Sequence, residues 1–416
     1  MRSLAAARSP ATPLCSIPRA IAVAPAGGTV AVRAGRYPAL SARGHSRGKP
    51  VTVTGHGHVV VDAVQVPGGA GNVRLDHLTI PGGVHLAEGG AHDVTISRSE
   101  ISARGDAVSL NWGTHDVRIE RNHISAGGDG IVFNSQSHRP GAPNPGAPEL
   151  APISRVLIRG NHLDGIGTDA LRPANFKHVV IEGNEINGLR EEGEHSDVLQ
   201  VVMGGDDLVF RRNFVHDNTG QGFFIKDGLV RNARVEENVF VHNQLRGPSP
   251  AGFASAGFQI AIYETTGLRL LRNTVWANDL NVALGGNVRD AVVRGNLFED
   301  MVADTDAGGR VPSVRQDYNL IAGGWNWGAR GRHDISRRPR FVDPARLDYR
   351  LAPGSAGIDS GAADVGTRRD KVCRAPYDDP RARNRGAGNP PFADAGALER
   401  TPRGSARDTR RRRSCG

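Results

Sequence analysis

Apolar residues recur along this chain in short runs of period two, and most runs close on an asparagine. Aligned on that residue, the runs read Val117-Ile119-Asn122-Ile124, Val156-Ile158-Asn161-Leu163, Val179-Ile181-Asn184-Ile186 and Leu208-Phe210-Asn213-Val215. They continue as Val235-Asn238-Phe240, Leu268-Leu270-Asn273-Val275, Val293-Asn296-Phe298 and Asn319-Ile321. Upstream, Val94-Ile96-Ile101 carries Ser99 in the asparagine place and Val73-Leu75-Ile80 carries Leu78, while Val51-Val53 and Val30-Val32 extend the series. Successive asparagines lie 39, 23, 29, 25, 35, 23 and 23 residues apart. A base period near 23 with three insertions describes a solenoid whose coils grow loops. Alternation of period two makes the repeating unit a β-strand. Such strands are too short to fold alone, but stacked at ~4.8 Å they bury a continuous core. A leucine-rich repeat has a similar period, yet its leucine consensus is absent. Asparagine tolerates the left-handed conformation, and stacked amides can hydrogen-bond from coil to coil, so the asparagine column reads as structural. About twelve coils fit between residues 29 and 323, a rod of ~58 Å at that strand spacing.

A second strand aligns in the coils, over 106–111, 129–134, 169–174, 197–202, 221–226 and 256–261. Its third and fifth positions are apolar and face the core, so the fourth and sixth face out. The outward set is Ser109, Asn111, Val132, Asn134, Arg172, Gln200, Phe224, Lys226 and Gln259. It is rich in amides, with one arginine, one lysine and one exposed phenylalanine. The first strand, by contrast, shows Arg118, Glu120, Arg159 and Glu182, an ordinary solvated mixture of charges. Insertions at 138–152, 189–195 and 245–255 flank the second sheet, where they are placed to wall a groove over Arg172, Gln200 and Lys226.

With these repeats the chain resembles a right-handed parallel β-helix of the pectate-lyase-like superfamily, the bacterial β-helix-repeat proteins in particular. The segment 17–37 is similar to that family's short capping helix and first strand. The ending at 341–366, followed by DAGALE at 394–399, resembles its closing segment. The resemblance implies an all-β, single-stranded right-handed parallel β-helix over 17–340 with a short N-terminal cap. A closing segment then spans 341–400, between a poorly ordered start (1–16) and a disordered basic tail (401–416). The family spans lyases, hydrolases, epimerases and non-catalytic adhesins, so the fold alone names no reaction.

Composition agrees with many turns: glycine occurs 54 times in 416 residues and aromatic residues make up 5%. The net charge of +9 is nearly all arginine, much of it in the tail at Arg403, Arg407 and Arg410–Arg413. What remains on the body is too small to imply nucleic acid, and no apolar run approaches the ~20 residues that span a bilayer. Cys15, Cys373 and Cys415 show no metal-binding spacing, and a Cys15–Cys373 bridge stays open. The first 28 residues lack a clean signal peptide, because Leu4–Ala7 is too short an apolar core; the expected location is nonetheless secreted or cell-surface, with a monomer acting on a polysaccharide.

Two segments concentrate chemistry, Gly193–Gln200 and His216–Gly228. Eliminating across a uronate needs a group that neutralises the C6 carboxylate, a base for the C5 proton and an acid for the leaving oxygen. Lys226 is the candidate base, Arg172 the candidate neutraliser, and His195 the second base or the acid. Gln200, Gln221, Phe224, Gln259 and Asn134 are the candidate substrate contacts, with Trp112 beside them if the protein only binds glycan. His216 reads as structural. The recurring aspartates Asp106, Asp129, Asp169 and Asp197 read as turn formers that bond their own following backbone. Alternatively, Asp169 and Asp197 bind Ca2+, which takes six to eight oxygens. A glycoside hydrolase using the Asp169–Asp197 pair, or one including Asp227 or Glu194, is the further alternative.

Overall fold

The computed structural model describes residues 13–46, 48–134, 150–189, 196–244, 258–280, 282–304, 312–324 and 330–358. It is the expected right-handed parallel β-helix, of about 11 turns. Each central coil has three strands where the apolar pattern suggested two. In one coil these are His115–Glu120 on the first face, His123–Ala126 on the second and Ile131–Asn134 on the third. The extra strand holds Ile124, Leu163 and Ile186, which the pattern had joined to the first. Every face pairs parallel from coil to coil: Val117 sits between Val94 and Val156, His123 between Glu100 and His162, and Ser109 between His85 and Val132.

The corner that separates the first two faces is made by the residue before each ladder asparagine. Arg121, Gly160, Gly183, Arg212, Glu237, Arg272, Gly295 and Tyr318 are left-handed, with φ between 52° and 68°. The asparagines themselves are not, so their recurrence answers to hydrogen bonding alone. Each is buried, and from Asn161 onward its Oδ1 accepts two bonds from the preceding asparagine. Asn161 donates to Asn184 Oδ1 from its backbone N at 2.9 Å and from Nδ2 at 3.0 Å. The same Nδ2 donates to the Ile119 carbonyl at 2.8 Å. This column runs unbroken from Asn122 to Asn319. Ser99 begins it by donating its backbone N–H to Asn122 Oδ1, and Asp334 ends it by accepting from Asn319. A second, shorter ladder stacks Asn218, Asn243 and Asn278 at the next corner.

Two further features depart from expectation. The first-face charges are ordered: Arg159 pairs with Glu120 at 2.7 Å, and Glu182 pairs with Arg211 at 2.6 Å on the following coil. Their signs alternate rung by rung, although exposed pairs of this kind stabilise only weakly. The described part of the closing segment forms a hairpin, Phe341–Asp343 against Asp348–Leu351. It folds back along the second face, burying Tyr349 on Phe214, Val239 and Val241, and Leu351 on Leu297 and Leu320. At the other end the helix Ile17–Val23 caps the core with Ile17 and Ile21. Among the described residues no helix is long and apolar enough to cross a membrane. Cys15 is exposed, whereas Cys373, Cys415 and the basic tail lie outside the described residues.

Asn213→Ala removes the acceptor of two Asn184 bonds, stranding the Asn184 N–H and one Nδ2 hydrogen, and takes the Nδ2 donor from the Ile181 carbonyl, while Asn238 Oδ1 keeps the backbone N–H of residue 213. At about 1–3 kcal/mol per stranded buried group, the substitution is expected to cost at least ~3 kcal/mol. A urea midpoint within error of the parent would contradict the ladder's role.

Candidate functional site

The outward positions of the third face form one column. Ser41, Gln65, His85, Ser109, Val132 and Arg172 are in register across a six-stranded sheet. The next coil abuts it through Ala170 N to Asp197 O at 2.8 Å and Val202 N to Pro173 O at 3.0 Å. There the column resumes as Gln200, Phe224 and Ala261. Arg172, Gln200 and Lys226 are therefore brought onto one face on consecutive coils, as the sequence led us to expect. His195 lies outside the described residues.

Register changes the place of one candidate. Gly222 pairs with Gln259 and Phe224 with Ala261, two residues away from the sequence alignment. Residues 245–257 intervene, and the repeat has no asparagine within them to set the register. Gln259 therefore sits beside the turn, and Ala261 takes its expected place in the column. Exposure changes another. Phe224 faces outward yet is only 3% exposed, with Lys226 Nζ 4.2 Å from its ring centroid. Lys226 itself is bulged out of the ladder, since Val201 pairs with Ile225 and Val202 with Asp227. Val132, Ser109 and Asn111 are also buried despite their outward positions. Asn134 is half-buried and pairs in register with Asn111. Gln221 is no groove residue: it lies buried in the turn, its N–H donating to the Ser196 carbonyl at 2.7 Å and its carbonyl accepting from Gln259 at 2.8 Å. Its Nε2 has no hydrogen-bond partner among the described residues.

Beneath the face runs a ladder of carboxylates. Asp106 Oδ1 accepts from Asp129 N at 3.0 Å, Asp129 Oδ1 from Asp169 N at 3.1 Å, and Asp169 Oδ1 from Asp197 N at 2.9 Å. Asp106, Asp129 and Asp169 thus each bond the next coil's backbone. Asp169 is 1% exposed and Asp197 0%. Arg172 reaches down to Asp129 at 3.0 Å while 30% of its side chain stays exposed. Burial pushes the Asp129 carboxyl up, against the pull of Arg172. Burial, and then the neighbouring Asp197 and Asp129, push Asp169 well above the usual carboxylate range. The Asp169 carboxylate already spends Oδ1 on the Asp197 N–H. No group of three or more potential ligands among the described residues is placed to hold a metal. The same burial keeps Asp169 and Asp197 away from any glycosidic bond.

A shallow depression of about 560 Å³ opens on the N-terminal half of the same face, lined by Ser41, Gln65, His85, Asp106 and Ser109 among others. Sequence reasoning missed Gln65 and His85, although the alternation Val64-Gln65-Val66 and Val84-His85-Leu86 carried the signal.

No known family profile matches this chain, and no curated protein does. Among solved structures it is similar to PfbA, a surface adhesin of Streptococcus pneumoniae, at 12% identity over 73% of this chain and 87% of that one, with a TM-score of 0.47. It is similar to the A-module of the Azotobacter vinelandii mannuronan C-5 epimerase AlgE4 at 16% identity, over 77% and 91% of the two chains and a TM-score of 0.42. Pectate lyase Pel9A shares 14% identity over 95% and 93%, with a TM-score of 0.41. At such values the fold rests on the strand register itself.

Two measurements check the buried charges. A carboxyl whose folded pKa lies above its unfolded value contributes stability that is complete below the unfolded value and is lost as pH rises through the folded one. The melting temperature is therefore expected to fall as pH rises above the ordinary carboxylate range, and Asp169→Asn is expected to flatten that fall. Equal slopes in the two proteins would refute the assignment. Arg172→Met leaves Asp129 buried without its cation and should cost about 3 kcal/mol; an unchanged urea midpoint would contradict this.

Proposed function

We propose that the protein binds an acidic, uronate-containing polysaccharide along its third face and cleaves it by β-elimination. Arg172 and Lys226 are the only arginine and lysine in the described third-face strands, and Lys226 is the observation that carries the reading. Its ammonium has no carboxylate partner among the described residues and rests on the Phe224 ring, a seat for a cation that a sugar carboxylate can meet, and this supports the acidic-glycan part of the reading. Arg172 adds a second positive group, though its bond to Asp129 leaves it a single edge instead of a two-pronged clamp. In this reading Arg172 draws charge from the C6 carboxylate, making the C5 proton acidic, and Lys226 in its unprotonated form takes that proton; the C4–C5 double bond forms as the C4–O bond breaks, and the leaving oxygen takes a proton from His195 or from solvent. A secreted or surface location and a monomeric state go with such a substrate.

Non-catalytic glycan binding is the second reading, and the Lys226–Phe224 contact favours it, because it holds the lysine as a cation and not as a free base. Ultraviolet absorbance of the unsaturated uronate, followed over a panel of acidic polysaccharides, separates the two. Elimination predicts rising absorbance that Lys226→Ala lowers by roughly 10²–10⁴-fold, the usual weight of a general base. Binding that needs Lys226, with no absorbance change in the parent, would establish the non-catalytic reading. Activity unaffected by Lys226→Ala would place the site elsewhere.

A further inference from the structure

We propose that the third face takes a heteropolysaccharide in which neutral sugars separate the uronates, and that it discriminates against a polymer made of uronates alone. The inference rests on the acidic-glycan reading and concerns the part of the face that reading leaves unused. From Ser41 to Asn111 the face offers hydrogen-bonding groups with no lysine or arginine among them. They are the Ser41 hydroxyl, the exposed Gln65 amide, and the His85 ring, whose Nδ1 shares a 2.9 Å hydrogen bond with Ser109 Oγ. Behind them Asn111 Nδ2 donates to the Leu86 carbonyl at 2.6 Å and lies 3.4 Å from the same ring. This stretch forms the depression of about 560 Å³, and no lysine or arginine lines it. Its one carboxylate is that of exposed Asp106, which spends Oδ1 on the Asp129 N–H.

Charge spacing decides what can lie there. His85 and Arg172 are three strand spacings apart, ~14 Å at ~4.8 Å each. That exceeds the ~8 Å screening length at physiological ionic strength, so Arg172 and Lys226 give no compensation over the depression. A polyuronate laid along the column would bring a carboxylate with every sugar, leaving several without a cation and one beside Asp106. Uncompensated and like charges at an interface act as a barrier to the wrong partner. A chain with one uronate among neutral sugars sets its carboxylate at Arg172 and Lys226 and its hydroxyls over Gln65, His85 and Ser109.

Calorimetric titration of the full chain against four glycans tests this. Hyaluronan and gellan carry neutral sugars between uronates; polygalacturonate and polymannuronate do not. The heteropolysaccharides are expected to bind at least roughly tenfold more tightly, the ratio a ~1.4 kcal/mol penalty produces. Gln65→Ala and His85→Ala should each erase most of that advantage, Gln65→Ala with the melting temperature unchanged. Gln65 is exposed, so its variant stays informative if the His85 variant misfolds. Equal or tighter polyuronate binding, or a Gln65→Ala protein that keeps the full advantage, overturns the inference and leaves the acidic-glycan function standing. Binding to none of the four overturns both.

Discussion

Everything in this molecule depends on polar groups that no coil can satisfy by itself. A buried asparagine side chain has two donors and an accepting oxygen, and in one isolated turn all of them would be stranded. Stacking supplies each coil with its neighbour's amide, so the column from Asn122 to Asn319 converts a liability into continuous coil-to-coil bonding. The cost of breaking any link fixes the vertical register, and the parallel pairing of Val117, Val156 and Val179 follows from it. The ladder must also be ended. At one end the Ser99 hydroxyl, a shorter acceptor, takes the Leu78 N–H, and at the other the charged Asp334 accepts from Asn319.

The carboxylate ladder under the third face uses the same geometry with a charged acceptor, and there the consequence differs. Asparagine amides stack without electrostatic conflict, whereas Asp129, Asp169 and Asp197 place like charges one coil apart in a dry interior. The raised affinity of Asp169 for its proton and the guanidinium of Arg172 ease that conflict. Arg172 is thereby bound to the fold as much as to the surface, which leaves Lys226 as the cation free to meet a ligand. A loss of function on changing Arg172 would therefore report on folding first.

Much of this was legible in the residues. The spaced asparagines and the Val/Ile alternation carried the solenoid and its length, and the Asp-headed strands carried the face on which Arg172, Gln200 and Lys226 meet. What escaped had physical reasons. Left-handed corners fall on Arg121 or Glu237, whose identities do not announce them. The offset at Gln259 arises where a long insertion separates one strand from the next and no ladder residue sets the count. Phe224 and Val132 occupy outward positions by alternation, but their burial depends on neighbours that alternation does not see. The return of the hairpin over the second face was not legible, since Tyr349 finds its partners more than a hundred residues upstream and Leu351 packs on the last coils through a pairing that no repeat announces. The Asn218–Asn278 ladder was readable, five residues after each first-ladder asparagine, and went unused.

The claim at the centre of this account is that the third face is where ligand binds. Backbone hydrogen exchange, with and without saturating hyaluronan oligosaccharide, tests it most directly. The account predicts slowed exchange in Val64–Val66, Val84–Leu86, Val108–Asn111 and Gly222–Asp227, with His115–Glu120 and His123–Ala126 unchanged. Slowing confined to those first- and second-face strands would contradict it.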